Sequence, residues 1–131
     1  MKGKHNPNQA PNGEENQMDR ERHAHQQLLA AGAHAIDARP WRPAPIPISD
    51  VDFVHFAMWK SAELGDEELL SALALMPAAR AEIDAVEAGL LFVARSAGLT
   101  WTQIADAMGF RSRQACQQHY ERLAAKGTDK P

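Results

Sequence analysis

The stretch from Pro77 to Gly98 constrains the fold more than any other part of the sequence. Ala79, Ile83, Val86, Leu90, Val93 and Ala97 recur along it at steps of three and four, which places apolar side chains on one face of an α-helix. Proline is tolerated in a first helical turn, where its missing N–H has no partner to lose, and glycine ends helices cheaply because it accepts a positive φ. The two residues therefore bracket one long helix running to about Ala97. Leu91 and Phe92 fall beside the stripe, so the apolar arc is wide. Such a helix is expected to be the central element, touching the preceding helices on one side and a C-terminal pair on the other. Gly89, inside it, costs about 1 kcal/mol relative to Ala and marks a close helix crossing.

The rest of the chain divides around this helix. A length of 131 residues suits one compact domain with tails, and apolar residues that are mostly Ala, Leu, Val and Ile, with only 6% aromatics, suit packed helices. Residues 1–18 offer almost nothing to bury and read as a disordered tail. Residues 19–37 read as a weak helix through Leu28, Leu29, Ala31, Ala35 and Ile36. Residues 38–48 hold prolines at 40, 43, 45 and 47 and read as a stiff linker. The folded body is expected to begin at Ser49, the N-cap of an apolar helix ended by Gly65. Asp66 then caps a second, acidic helix, which completes a pair over residues 49–76. Residues 77–126 form the long helix and the unit that follows it, and residues 127–131 a short tail.

The net charge of −3 is unevenly spread. From Ser49 to Ala88, nine acidic residues (Asp50, Asp52, Glu63, Asp66, Glu67, Glu68, Glu82, Asp84 and Glu87) face only Lys60 and Arg80. From Arg111 to Lys126 the balance reverses, with Arg111, Arg113, Arg122 and Lys126 against Glu121 alone. An acidic body with a basic end is the charge pattern of a molecule that presents one end to a polyanion. Cys116 is the single cysteine, which rules out a disulfide within the chain and favours a reducing compartment. No secretory signal and no membrane-length apolar run is apparent, so a cytoplasmic location is expected.

The segment GLTWTQIADAMGFRSRQACQQHYERLAAKG carries the specific signal. Thr100 and Gln103 form a capping box that starts a helix at Trp101. Ile104, Ala105 and Met108 make its inner face, Gly109 ends it, and Phe110 plugs the turn. Ser112 caps the next helix, whose apolar side is Ala115, Cys116, Tyr120 and Leu123. Arg113, Gln114, Gln117, Gln118 and Glu121 point elsewhere. Arginine to guanine and glutamine to adenine are bidentate pairings in a major groove, so Arg113, Gln114 and Gln117 are the candidates for base edges. Thr100, Thr102, Arg111, Ser112, Gln118, Arg122 and Lys126 are the candidates for phosphate.

This arrangement, LTWTQIADAMGFRSRQACQQHYERL preceded by AEIDAVEAGLLFVARSAG, resembles the helix-turn-helix of sigma-factor region 4 and of small actinobacterial DNA-binding and nucleoid-associated proteins. The resemblance covers roughly the last 50 residues. It implies a second helix that docks in the major groove of double-stranded DNA and assigns recognition to Arg113, Gln114 and Gln117; the expected fold is a small all-α domain ending in a helix-turn-helix that, unlike some, is wingless. The expected protein is an all-α transcriptional regulator or nucleoid-associated protein. One basic helix gives modest affinity, so a homodimer presenting two half-sites is the expected arrangement. Its interface would come from the Val51 to Leu64 helix or from residues 19–37. The alternative is an interaction module whose acidic helices dock a basic protein of the transcription machinery.

Other features carry less. His23, His25 and His34 read as solvated surface rather than metal ligands, and Cys116 as a small buried apolar residue. His119 is read as packing against the body and Trp101 at the helix junction. The carboxylate pairs Glu67/Glu68 and Glu82/Asp84 sit in helical first turns, where the macrodipole accounts for them. With no phosphate loop, no nucleophile beside a histidine and no metal-ligand spacing, neither an enzyme nor a cofactor is expected.

Overall fold

The structure, a computed structural model, describes residues 13–128, with side chains from Glu15 to Lys126. Residues 1–12 and 129–131, parts of the two expected tails, lie outside the described residues. Six α-helices make up the described chain: α1 (Gly13–Ala30), α2 (Asp50–Trp59), α3 (Asp66–Ala74), α4 (Met76–Ser96), α5 (Trp101–Met108) and α6 (Arg113–Thr128). Among the described residues there is no strand beyond an isolated bridge between Arg39 and Arg42. The fold is all-α. No described helix is long and apolar enough to cross a membrane. The chain forms two compact units that divide between Ala79 and Arg80, within α4.

The first unit starts earlier than the apolar pattern indicates. α1 begins at Gly13 rather than Asp19 and is not an accessory: it packs chiefly on α3 and buries Ala24 and Leu28 completely. Two residues four apart lie on one helical face, so these two alone anchor a helix that is polar elsewhere. Phe53, Phe56 and Ala57 from α2, Leu75 after α3, and Ala33 from the short 3-10 turn Ala33–Ala35 complete the core. His25 is half-buried: it stacks on Phe53, and its Nε2 lies 2.6 Å from Asp50 Oδ1 in the first turn of α2.

The proline-rich segment is pinned rather than free. Arg42 is buried, donates from Nη2 to the Asp37 carbonyl at 2.6 Å and holds Nε 3.3 Å from Asp52 Oδ2. A guanidinium out of water needs such partners to offset its desolvation. The folded body therefore precedes Ser49, although Ser49 does cap α2 through its side chain to Asp52 N.

Gly65 does not end α2, which stops at Trp59 and is followed by the 3-10 turn Ser61–Glu63. It is instead the extended N-cap of α3, with φ −90° and its N–H donated to Glu68 Oε1 at 2.8 Å. Asp66 is thus the first helical residue and not the cap.

In the second unit α4, α5 and α6 enclose Leu91, Ile104, Ala105, Cys116 and Leu123, with Ala88, Ala94, Trp101, Phe110 and Tyr120 around them. Pro77 stands in the first turn of α4, and Gly98, at φ 95°, follows its end. The inward line of α4 is not the expected stripe. Leu91 is 4% exposed, whereas Ile83, Val86, Leu90 and Val93 are 52%, 54%, 65% and 61% exposed. The two lines lie roughly 120° apart around a helix of 3.6 residues per turn, and two short helices cover only one arc of a longer one. No atom lies within 4 Å of a Cβ placed at Gly89, so the crossing expected there is not made within the described chain. α6 runs to Thr128, two residues into the expected tail.

Candidate nucleic-acid interface

The turns that bracket α5 follow from glycine and hydroxyl chemistry. After α4, the Leu99 N–H reaches back to the Ala94 carbonyl at 3.1 Å across the positive-φ Gly98. After α5, the Phe110 N–H reaches the Ala105 carbonyl at 2.9 Å across Gly109, at φ 80° and ψ 20°. Both are six-to-one closures that satisfy carbonyls left over at a helix end. Thr100 Oγ1 accepts from Gln103 N at 3.1 Å, and Gln103 Oε1 accepts from Thr100 N at 2.8 Å, the reciprocal bonds of a capping box. Ser112 Oγ accepts from Ala115 N at 3.1 Å and starts α6.

Side chains then lock α6 onto α4 and α5. His119 Nε2 lies 2.6 Å from Glu87 Oε2, and the His119 ring packs beside Phe110 at 5.2 Å between centroids. Trp101 meets Tyr120 at 5.7 Å and takes the Arg95 guanidinium over its ring at 5.0 Å. His119 and Trp101 are therefore part of the scaffold. Cys116 is fully buried on the inner side of α6. Burial pushes its thiol pKa up, with the Glu87 carboxylate adding to the effect. A thiol held protonated is a packing group and not a nucleophile.

With α6 anchored along Cys116, Tyr120 and Leu123, the other side of the helix faces solvent. Arg113, Gln114, Gln117 and Gln118 are all exposed, as are Arg111 in the turn and Arg122 further along. Helical spacing puts Gln114, Gln117 and Gln118 on one face, with Arg113 beside them in the first turn. Thr100 and Ser112 use their hydroxyl oxygens as cap acceptors and keep the hydroxyl hydrogen for another acceptor. Thr102 is exposed on α5. Lys126 differs from the other cations: its Nζ lies 3.2 Å from Asp84 Oδ2, an exposed pair that a phosphate can compete for.

Glu121, which the sequence places on the outward side of α6 but not among the candidate contacts, shares the exposed face with Gln114 and Gln117 at spacings of seven and four. The spacing alone identifies it. Its carboxylate repels a phosphate and can accept from an amino group such as cytosine N4. The face as a whole can therefore offer donors from arginine, both donors and acceptors from glutamine, and one acceptor from glutamate.

Comparison with known proteins bears on this same region. Neither the curated proteins nor the solved structures gave a significant match to the chain. Residues 87–130 match the family described as Myb-like DNA-binding domain, a span that takes in the end of α4, the whole of α5, and α6. The match supports a helix-turn-helix DNA-binding protein.

Proposed function

We propose that this protein binds duplex DNA by laying the first two turns of α6 in the major groove. Arg113, Gln114 and Gln117 then meet base edges, while Arg111, Ser112, Gln118, Arg122 and Lys126, with Thr100 and Thr102 on α5, meet the flanking phosphates. One observation carries the reading. The side chains of Arg113, Gln114 and Gln117 are exposed and hold no partner among the described residues, on a helix whose opposite side is fixed to a helix-turn-helix scaffold. The family match over residues 87–130 supports the same reading.

The finer role is that of a transcriptional regulator or nucleoid-associated protein in the cytoplasm, without enzymatic activity, in keeping with the likeness to sigma-factor region 4 and small actinobacterial nucleoid proteins. A transcription-machinery protein is the second partner in this reading. Leu70 and Leu73 of α3 are each 65% exposed beside the exposed Asp66 and Glu67, an acidic and apolar surface suited to a basic protein.

Titration of labelled duplex DNA across a salt series tests the proposal. Three cations assigned to phosphate (Arg111, Arg122 and Lys126) predict that log K falls against log salt with a slope of about −3. Arg113→Ala with Gln114→Ala is expected to erase sequence preference, and Arg111→Ala to weaken all sequences alike and reduce the slope by about 1. A folded wild type that leaves DNA unbound at low salt refutes the proposal.

A further inference from the structure

The exposed stripe of α4 has no use in the DNA-binding reading. Ile83, Val86, Leu90, Val93 and Ala97 alternate steps of three and four, the a and d positions of a heptad seam. None of the four larger residues enters the core of the second unit. Together they expose on the order of 400 Å² of apolar surface, within the range of the largest patches on monomers, which are often functional.

We propose that this seam pairs with the α4 helix of a second copy of the chain, in antiparallel orientation, with the two-fold axis passing beside Gly89. A heptad seam is self-complementary: each knob of one helix enters a hole between four residues of the other. Antiparallel register sets Ile83 against the partner's Val93 and Val86 against the partner's Leu90. Flanking residues choose the orientation. A parallel pair opposes Glu82 and the partner's Glu87 twice over, like charges at facing positions. The antiparallel pair opposes Glu82 and the partner's Ser96 instead, and brings Gly89 against the partner's Gly89, where the lack of side chains lets the axes close. The open space around Gly89 is thereby occupied. On the other side of the axis the two Glu87 residues face one another, a single like-charge pair where the parallel arrangement makes two, and each is held by its own His119 at 2.6 Å. The inward line through Leu91 is untouched by this pairing, so α5 and α6 stay in place.

Sedimentation equilibrium of the full chain from about 1 to 200 μM, with variants, tests the inference. The wild type is expected to dimerise in that range, and Leu90→Glu to raise the dimer dissociation constant at least tenfold with an unchanged far-UV circular dichroism spectrum. Phe92→Glu is the control: Phe92 is 63% exposed on α4 but off the seam, and the variant should dimerise as the wild type does. Gly89→Cys reports orientation, because residue 89 meets its own copy only when the helices run antiparallel, and buried Cys116 does not compete for oxidant. Rapid disulfide formation at residue 89 under mild oxidation supports the antiparallel pair; disulfide formation in Leu90→Cys with none in Gly89→Cys overturns it. A wild type that is monomeric at the highest concentration, or a dimer indifferent to Leu90→Glu, overturns the seam itself. DNA titration of Leu90→Glu keeps the two readings distinguishable, since retained sequence preference in a monomer leaves the α6 reading standing.

Discussion

The two units are both three-helix assemblies, but they are specified differently. In the α4 to α6 unit each turn is set by residues within about six positions of one another: Gly98 with Ala94 and Leu99, Thr100 with Gln103, Gly109 with Ala105 and Phe110, Ser112 with Ala115. In the first unit the contacts that decide the fold join distant segments. His25 reaches Asp50, Arg42 reaches Asp52, and Leu28 of α1 shares a core with Phe53 and Leu75. Local chemistry can be read along a sequence, whereas meetings between remote residues leave little trace in either one alone.

The strongest way to break this comparison is Leu28→Ala. If α1 were the weak, accessory helix that its polar composition implies, the change would act like a surface substitution, within about 0.5 kcal/mol. Leu28 is fully buried, so the structure predicts instead a loss of about 2–5 kcal/mol from the missing side chain and the cavity left behind. Native-state amide exchange in α1 and α3 measures it. Unchanged protection of those amides would mean that α1 does not hold the first unit together.

That contrast also explains what was legible. The all-α class, the boundaries of α5, the caps at Thr100 and Ser112 and the solvent-facing set Arg113, Gln114 and Gln117 followed from patterns only a few residues long. The start of α1, the anchoring of the proline segment by Arg42 and the role of Gly65 as an N-cap did not, because each depends on a partner elsewhere or on which of two helices claims a residue. The α4 stripe shows the opposite error. Its periodicity correctly signalled a helix, but periodicity says that a face is apolar and not what covers it. Glu121 was legible as a member of the outward face with Gln114 and Gln117, and only its place among the candidate contacts was left out.

A smaller effect sharpens the local side of the comparison. Gly109 sits at φ 80° with no atom within 4 Å of the place a Cβ would take, so replacing it strains the backbone without a clash. Gly109→Ala is expected to cost the second unit about 1–2 kcal/mol, the penalty of a left-handed conformation for an L-residue. Gly109→Asn should recover part of that loss, since asparagine tolerates the conformation better. Thermal denaturation followed by the residue-resolved NMR signals of Trp101 and Tyr120 reads the order Gly, Asn, Ala. Equal melting of all three would show that the turn does not depend on a left-handed residue.

The smallest expected effect separates the units by pH. Cys116 is the only cysteine, it belongs to the second unit, and burial raises its thiol pKa there, with Glu87 contributing. A group whose folded pKa lies above its unfolded value binds more protons in the folded state as the pH climbs past the unfolded value. Its contribution to stability is therefore fully present below the unfolded thiol pKa, about 8.5, and declines as the pH rises from there through the folded value. Subtracting the pH profile of Cys116→Ala from that of the wild type isolates this group from the tyrosine and lysines that titrate nearby in pH. The difference is expected to be flat from about pH 7 to 8.5 and to shrink above it for α5 and α6 amides, with no counterpart in α1 to α3. A difference that stays flat to about pH 10 would mean that the thiol ionises as easily folded as unfolded, and that the inner side of α6 is open to water where the packing of Cys116, Leu91 and Ile104 closes it.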